Sequence, residues 1–382
     1  MTGYELGDKP LEKPSQDLLE MAPFARTLAG ILTGVQLPVT IGIYGEWGEG
    51  KTTLARLLVH YVRKQPGWDN LQFIDFSTWP YVTADAIWRA LLDKIARRVY
   101  GQPDRPEDPP SEGTGPTLRG NIRQYLRTDA LTLRAAPVDP RKQRYERLRM
   151  RFDQSAALAN RTVGDPAASA NLSALASLVL DAAATVSPGI GPLKRIFEPK
   201  ESSVRGILPG ERPAAPEVVA SVEELRQDLR DLFRDSAQDG AKLVILLDDL
   251  DRCLPQVALD FLETIKVFFF ESVDVAAPFL FLVAVDENLV GRGLQMRIGP
   301  TPGVDSEREA RMYLEKIVQF GMPVPSPSDK QVHHLISVSF PEWAQAADLI
   351  AVGIGRNPRR IKQQCNLMAY GYQAREATID EI

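Results

Sequence analysis

Apolar side chains in the first quarter of the chain recur with a period that changes several times. Residues 15–34 place them near helical spacing, and residues 38–44 form a short β-rich run typical of a buried central strand. The pattern then predicts a helix over residues 52–64, a strand over 71–76 and a helix over 84–100. Strands that alternate with helices are typical of a parallel sheet covered by helices, so an α/β fold is predicted.

The same pattern returns in the second half of the chain. It predicts a helix over residues 222–235 and buried strands over residues 242–249 and 278–285. Residues 1–100 and 217–300 are therefore interpreted as the two halves of one core, a parallel β-sheet flanked by helices.

The segment between these halves, residues 101–216, has a different composition. Residues 102–116 contain five prolines, which is typical of a linker. Basic residues clearly outnumber acidic ones over residues 119–151. We interpret residues 101–216 as a peripheral insertion, partly helical and partly disordered, and we predict a mainly helical C-terminal region over residues 301–382.

The composition is that of an ordinary soluble protein, with 44% apolar and 25% charged residues in a chain of 382. The net charge of −5 provides no general attraction to nucleic acid or membrane, so such binding would need a local patch. Cys253 and Cys365 do not have the spacing of metal ligands, and the polar N-terminus does not resemble a secretory signal. These features predict a cytoplasmic protein with reduced thiols.

The turn after the first predicted strand carries the clearest chemical signal in the chain. It reads Gly45-Glu46-Trp47-Gly48-Glu49-Gly50-Lys51-Thr52. This matches the phosphate-binding pattern G-x-x-x-x-G-K-[ST], and a predicted strand precedes it while a predicted helix follows it. Glycines let backbone N–H groups point at an anion, and the N-terminus of the helix adds its dipole.

Each residue of this loop receives a predicted role. The backbone from Gly45 to Thr53 is predicted to hold the phosphates, and Lys51 to reach the β- and γ-phosphates of ATP. The Thr52 hydroxyl is predicted to bind Mg²⁺. We expect Glu46 and Glu49 to face solvent and Trp47 to pack against the fold.

A second polar cluster follows the most apolar strand, residues 242–249. Ligands bind at the carboxyl ends of strands in an open parallel sheet, so Asp248 is predicted to bind Mg²⁺ directly or through water. Asp249 is predicted to polarise the attacking water, with Asp251 as the alternative base. Asp286 follows the next strand and is either a γ-phosphate sensor or a helix cap.

These two motifs together resemble the KAP family of P-loop NTPases, which are similar to the STAND class of signalling ATPases. The acidic motif is Asp-Asp-Leu-Asp-Arg-Cys at residues 248–253, and a third similar segment is Asn-Pro-Arg-Arg-Ile-Lys at residues 357–362. The resemblance implies a P-loop core with an additional strand between the two nucleotide motifs. It also implies that Arg359 and Arg360 bring a guanidinium group to the nucleotide, although a basic helix end is the alternative interpretation.

The resemblance has two further implications. Many family members carry transmembrane helices in the insertion, but the best candidate here, residues 172–193, contains Asp181 and Pro188 and is a poor bilayer span. Bacterial members are often linked to defence against phage and plasmids. A signalling or defence ATPase that acts on a protein partner, or through self-association, is therefore expected.

Three functions compete at this point. The first is a conformational switch with slow ATP turnover, and ATP is favoured over GTP because the guanine motif Asn-Lys-x-Asp is absent from the sequence. The second is a nucleic-acid-dependent motor or clamp that uses the basic segment 119–151, where Arg119, Arg123 and Arg127 follow helical spacing. The third is a scaffold with a purely structural ATP site, which the complete phosphate-binding and acidic motifs argue against.

Overall fold

The computed structural model describes most of the chain outside the insertion. The described residues are 11, 14–102, 140–150, 227–228, 230–237, 240–266, 278–299 and 306–380. The chain divides into two compact units. The first comprises Met1–Trp79, Gly240–Asp260 and Pro278–Ile382, and the second comprises Pro80–Asp239 and Phe261–Ala277.

The first unit is built on a parallel sheet. Its strands are β1 (Val39–Tyr44), β2 (Leu71–Ser77), β3 (Lys242–Asp248), β4 (Phe279–Val285) and β5 (Phe320–Pro323). They lie in the order β2-β3-β4-β1-β5, and every neighbouring pair is parallel. Because β4 lies between β1 and β3, the sheet has the additional strand that the family resemblance implied.

Hydrophobic burial explains why these segments form the centre of the sheet. Every residue of β4 is buried, and so are five consecutive residues of both β1 and β3. Strands buried on both faces require such continuous apolar runs. The α/β fold predicted from the sequence is therefore confirmed, and all five strands end at one edge of the sheet, where the functional residues lie.

Helices cover the sheet and extend beyond it. They are α1 (Ala22–Leu32), α2 (Lys51–Val62), α3 (Ala84–Val99), α4 (Pro255–Lys266), α5 (Glu287–Ile298), α6 (Ser306–Leu314), α7 (Asp329–Ser339), α8 (Ala347–Ile354) and α9 (Pro358–Asp380). In the first unit, α1 and α2 pack through Leu28, Leu54 and Leu58 into the same hydrophobic cluster as Ile43 of β1. This packing fixes the start of α2 directly after β1.

The predicted helix over residues 15–34 is too long. The observed helix α1 begins at Ala22, because Glu20 has a left-handed φ of 53° and breaks the helix. The Asp17 carboxylate accepts a hydrogen bond of 2.7 Å from the backbone N–H of Ala22, and this bond satisfies one free donor of the first turn.

The C-terminal region is not helical throughout, since Phe320–Pro323 forms strand β5 beside β1. Phe320 lies opposite Ile41, and Gly321 lies opposite Gly42. Of these four residues only Met322 is buried, so the strand leaves almost no periodic signal in the sequence. The prediction of a purely helical region over 301–382 is corrected in this respect.

Part of the insertion contributes to the hydrophobic core of the second unit. Most of residues 101–216, and residues 222–226 of the predicted helix 222–235, lie outside the described residues. Residues 140–150 are helical, and Tyr145 and Leu148 are 6% and 2% exposed. The Tyr145 hydroxyl donates a hydrogen bond of 2.9 Å to Asp93 of α3. This segment is thus more than the peripheral appendage expected from composition.

A single truncation in this segment tests that conclusion. Leu148→Ala is expected to lower the free energy of unfolding by about 2–5 kcal/mol, the usual cost of removing a buried leucine side chain. Met150→Ala, which changes a residue 60% exposed two positions away, is expected to change it by less than about 0.5 kcal/mol. Urea denaturation of both variants measures the difference, and equal midpoints would contradict a packed segment.

Among the described residues, no helix has the length and the apolar character needed to cross a bilayer. The segment 172–193, whose membrane contact was considered from the sequence, lies outside them.

Candidate functional site

The loop between β1 and α2 has the conformation of an anion-binding turn. Gly48 and Gly50 have φ values of 89° and 97°, which are left-handed conformations that favour glycine. Gly50 is the N-cap of α2, so the first N–H groups of this helix lie at the loop. Free N–H groups and the helix dipole make such a terminus a site for phosphate.

Lys51 lies across this loop and is only 7% exposed. Its Nζ donates hydrogen bonds of 3.0 Å to each of two loop carbonyls, those of Gly45 and Glu46. The same Nζ is 3.4 Å from Oδ2 of Asp251. The ammonium group is thus held at the mouth of the loop, where a bound phosphate would meet it.

Thr52 and Asp248 are brought together although they lie 196 positions apart. The Thr52 hydroxyl donates a hydrogen bond of 2.6 Å to Oδ2 of Asp248, at the tip of β3. Oδ1 of Asp248 accepts a second bond of 2.9 Å from the N–H of Asp249. Burial raises the pKa of Asp248, and the hydrogen bond from Thr52 opposes that rise.

This oxygen pair suits a hard cation. Mg²⁺ binds proteins through one or two side-chain oxygens and keeps waters or phosphate oxygens as its other ligands. The described part of the chain contains no cluster of three or more His, Cys, Asp or Glu side chains that could enclose a metal by themselves. The site therefore fits a magnesium ion that arrives with a nucleotide, rather than a permanent protein cage.

Asp249 is oriented by two donors. Its Oδ2 accepts a hydrogen bond of 2.7 Å from the Ser77 hydroxyl at the end of β2, and Arg252 Nε lies 2.8 Å from its Oδ1. Its backbone has a φ of 60°, an uncommon conformation that Asp and Asn adopt more readily than other residues with a Cβ atom. Arg252 thus pairs with a neighbouring carboxylate rather than facing the loop alone.

Asp286 follows β4, between the tips of β1 and β3. Its Oδ1 accepts a hydrogen bond of 2.9 Å from the N–H of Asn288 and so caps α5. This is the capping interaction that the sequence offered as one alternative. The sensor role stays a prediction.

The outer side of the loop contacts the beginning of α9. Trp47 is 52% exposed, and the guanidinium carbon of Arg359 lies 3.9 Å from its ring centroid. Glu46 is exposed as expected, and its carboxylate is 3.4 Å from Arg360. Glu49 instead turns back into the loop, where its carboxylate accepts a hydrogen bond of 2.8 Å from the N–H of Glu46.

Asn357 is a residue of this site that our reading of the sequence assigned no role. Its side-chain amide donates a hydrogen bond of 3.0 Å to the carbonyl of Trp47. Its Oδ1 accepts bonds of 3.1 and 3.2 Å from the N–H groups of Arg359 and Arg360. An asparagine directly before a proline at the start of a helix was a recognisable N-cap signal, but nothing in the sequence pointed to Trp47.

A parallel sheet with an additional strand, a glycine loop after β1 and a carboxylate at the tip of β3 together define a nucleotide-binding P-loop NTPase domain. Comparison with protein-family models matches residues 21–349 to the KAP family P-loop domain. The chain therefore belongs to the KAP family, as its motifs suggested. Neither the curated proteins nor the solved structures compared with the chain gave a match.

Proposed function

We propose that this protein binds Mg²⁺–ATP at Gly45–Thr53 and hydrolyses it slowly, as a conformational switch. The observation that carries the proposal is the 2.6 Å contact between Thr52 and Asp248, since it brings the hydroxyl of one nucleotide motif to the carboxylate of the other. ATP rather than GTP is proposed because the sequence lacks the guanine motif.

The residues of the site divide the work of binding. The loop N–H groups and Lys51 would hold the phosphates, and Thr52 and Asp248 would hold Mg²⁺. When bound, Mg²⁺ supplies charge neutralisation at the phosphate oxygens. The side chain of Asp248 would then face a cation, which offsets the cost of burying its negative charge.

Asp249 is the proposed general base. Its carboxylate is held by the Ser77 hydroxyl and the Arg252 guanidinium, so its direction is fixed before substrate binds. Asp251 is the rival, because it lies 3.4 Å from Lys51 and thus next to the expected position of the γ-phosphate. In either case the carboxylate would accept a proton from the attacking water.

Hydrolysis is tested directly by incubating the purified chain with ATP and measuring phosphate release, with and without Mg²⁺. We expect slow release that requires Mg²⁺. A folded protein that neither binds ATP in calorimetry nor releases phosphate would overturn the proposed function. A protein that binds ATP without releasing phosphate would support a structural nucleotide site instead.

The role of Asp248 leads to a prediction about affinity. Asp248→Asn is expected to reduce the gain in ATP affinity that Mg²⁺ provides by roughly tenfold, about the value of one hydrogen bond or ligand contact to a charged group. Calorimetry with a non-hydrolysable ATP analogue at several Mg²⁺ concentrations measures this gain. Asp69→Asn, which changes an exposed carboxylate, serves as the control.

The same substitution should stabilise the nucleotide-free protein. Because burial raises the pKa of Asp248 in the folded state, ionisation of Asp248 costs stability as the pH rises through that pKa. Asparagine carries no charge, so the Tm of Asp248→Asn should exceed that of the wild type at neutral pH. The difference should vanish below about pH 4, the pKa of an unperturbed aspartate. A lower Tm at neutral pH would contradict this assignment.

The switch proposal is supported by the position of α9. Its first turn contacts the phosphate-binding loop, and its residues Ile361 and Cys365 are buried in one cluster with Val332 and Ile336 of α7. A change in the loop would therefore act on the C-terminal helices through direct contacts. A protein partner or a second copy would respond to the nucleotide state. The signalling or defence setting is proposed from family membership.

The alternative nucleic-acid function gains no support from the described part of the insertion. Arg144 forms an ion pair with Asp235, and both line a groove that also contains Asp228 and Asp231. These carboxylates reduce the local positive potential that phosphate backbones require. Filter binding with DNA and RNA across a salt series tests the alternative. Tight, salt-dependent binding would restore it.

A further inference from the structure

The Asn357 side chain uses both of its ends. The side chain is part of a residue only 8% exposed, and it lies directly before the first turn of α9. Its oxygen faces two backbone N–H groups, and its nitrogen faces the carbonyl of Trp47. Because only the amide nitrogen can donate, these partners fix the orientation of the side chain. One residue therefore caps a helix and binds the phosphate-binding loop at the same time.

The loop and the helix also approach too closely for any residue but glycine at position 48. A Cβ atom on Gly48 would lie 2.7 Å from Cβ of Arg359 and 3.0 Å from Oδ1 of Asn357. The left-handed φ of Gly48 independently favours glycine. The first turn of α9 is thus fitted against the outer turn of the loop.

Two side-chain contacts flank this point. The Arg359 guanidinium stacks on Trp47, and Arg360 pairs with Glu46. All of these contacts are made with residues 46–48, the outer turn of the loop. Lys51 and Thr52, on its inner side, contact Asp251 and Asp248. The start of α9 can therefore support the loop without occupying the phosphate position.

We propose that Asn357 is a positioning residue for nucleotide binding: its hydrogen bond to Trp47 holds the phosphate-binding loop in its binding conformation. The inference rests on the proposed function, because it concerns how the same site is prepared for ATP. A loop that is held in advance loses less conformational freedom on binding, and this raises affinity. By linkage, bound nucleotide must strengthen the docking of α9 by the same factor.

Asn357→Asp separates the two roles of this residue. Aspartate is as good an N-cap as asparagine, so the first turn of α9 keeps its acceptor. It cannot donate to the Trp47 carbonyl, and its second oxygen instead faces that carbonyl oxygen. We expect the affinity for a non-hydrolysable ATP analogue to fall about tenfold, the loss of one hydrogen bond together with repulsion between two oxygens. Asn357→Ala removes both contacts and is expected to lower the Tm as well.

A second readout does not depend on nucleotide. Hydrogen exchange in the free protein should be faster over residues 45–50 in Asn357→Asp than in wild type, while exchange in the first turn of α9 should not change. Ser328→Ala is the matched control, because Ser328 caps α7 through Gln331 and lies outside the loop contacts described above. It should lower stability by about 1 kcal/mol and leave ATP affinity and loop exchange unaltered.

The outcomes distinguish this inference from the proposed function. If wild type fails to bind the ATP analogue, the proposed function fails, and loop exchange alone decides the role of Asn357. If wild type binds and Asn357→Asp binds equally well with unchanged loop exchange, Asn357 is only a helix cap and the inference is overturned. Weaker binding with faster loop exchange in the aspartate variant, and neither effect in Ser328→Ala, would support it.

Discussion

Lys51→Ala is expected to weaken ATP binding by about a hundredfold or more and to abolish hydrolysis. The side chain is nearly buried, and its Nζ is already held by the carbonyls of Gly45 and Glu46 at the mouth of the loop. It therefore reaches the β- and γ-phosphates without a large loss of side-chain entropy. Hydrogen bonds to charged groups are each worth about 1.5–3 kcal/mol, and alanine removes at least two of them.

Calorimetry with a non-hydrolysable ATP analogue measures this loss. Lys64→Ala is the control, because Lys64 is an exposed lysine just beyond the other end of α2. Circular dichroism must show that Lys51→Ala is folded, since the substitution also removes the partner of Asp251. An affinity equal to that of wild type in a folded Lys51→Ala protein would mean that the loop is not the nucleotide site.

The geometry of the site's centre could be predicted from the sequence because strong local rules apply there. Glycines at positions 48 and 50 indicated left-handed backbone, and both have it. The contact between Thr52 and Asp248 follows from the rule that parallel strands end at one edge of a sheet. Local sequence patterns and one topological rule were sufficient to bring these residues together.

The parts that could not be predicted depend on contacts between distant segments. Strand β5 has a single buried residue, Met322, and it forms because β1 offers it hydrogen-bond partners. The packing of Leu148 into the second unit has no signature in a segment dominated by basic residues. The bond from Asn357 to Trp47 joins positions 310 residues apart, and neither residue type implies the other.

The basic residue composition of the insertion also gave an incomplete picture of its electrostatics. A run of arginines indicates a surface that requires an acidic partner, and this partner was sought in nucleic acid or another protein. In the structure Asp235 of the same unit pairs with Arg144. Sequence composition cannot distinguish a partner within the chain from one outside it, because only the folded topology brings residues 144 and 235 together.

Asp249→Asn is expected to bind Mg²⁺–ATP within about threefold of wild type and to lower the rate of hydrolysis by roughly 10²–10⁴, the range attributed to a general base. The amide has nearly the shape of the carboxylate and can keep a hydrogen bond with the Ser77 hydroxyl. Asparagine also tolerates the left-handed backbone that residue 249 adopts. What the substitution removes is the ability to accept a proton from water, so the effect should fall on chemistry rather than on binding.

Asp251→Asn is the matched comparison, because Asp251 lies three positions after Asp248 and contacts Lys51. If Asp249 is the base, Asp251→Asn should alter the position of Lys51 and change hydrolysis by no more than about tenfold, the loss expected for a single hydrogen bond to a charged group. Single-turnover assays, with the protein in excess over ATP, separate the chemical step from product release. A large loss of rate in Asp251→Asn with near-normal hydrolysis in Asp249→Asn would transfer the role of base to Asp251. Equal losses in both variants would mean that the two carboxylates act as one unit, held between Ser77 and Arg252 on one side and Lys51 on the other.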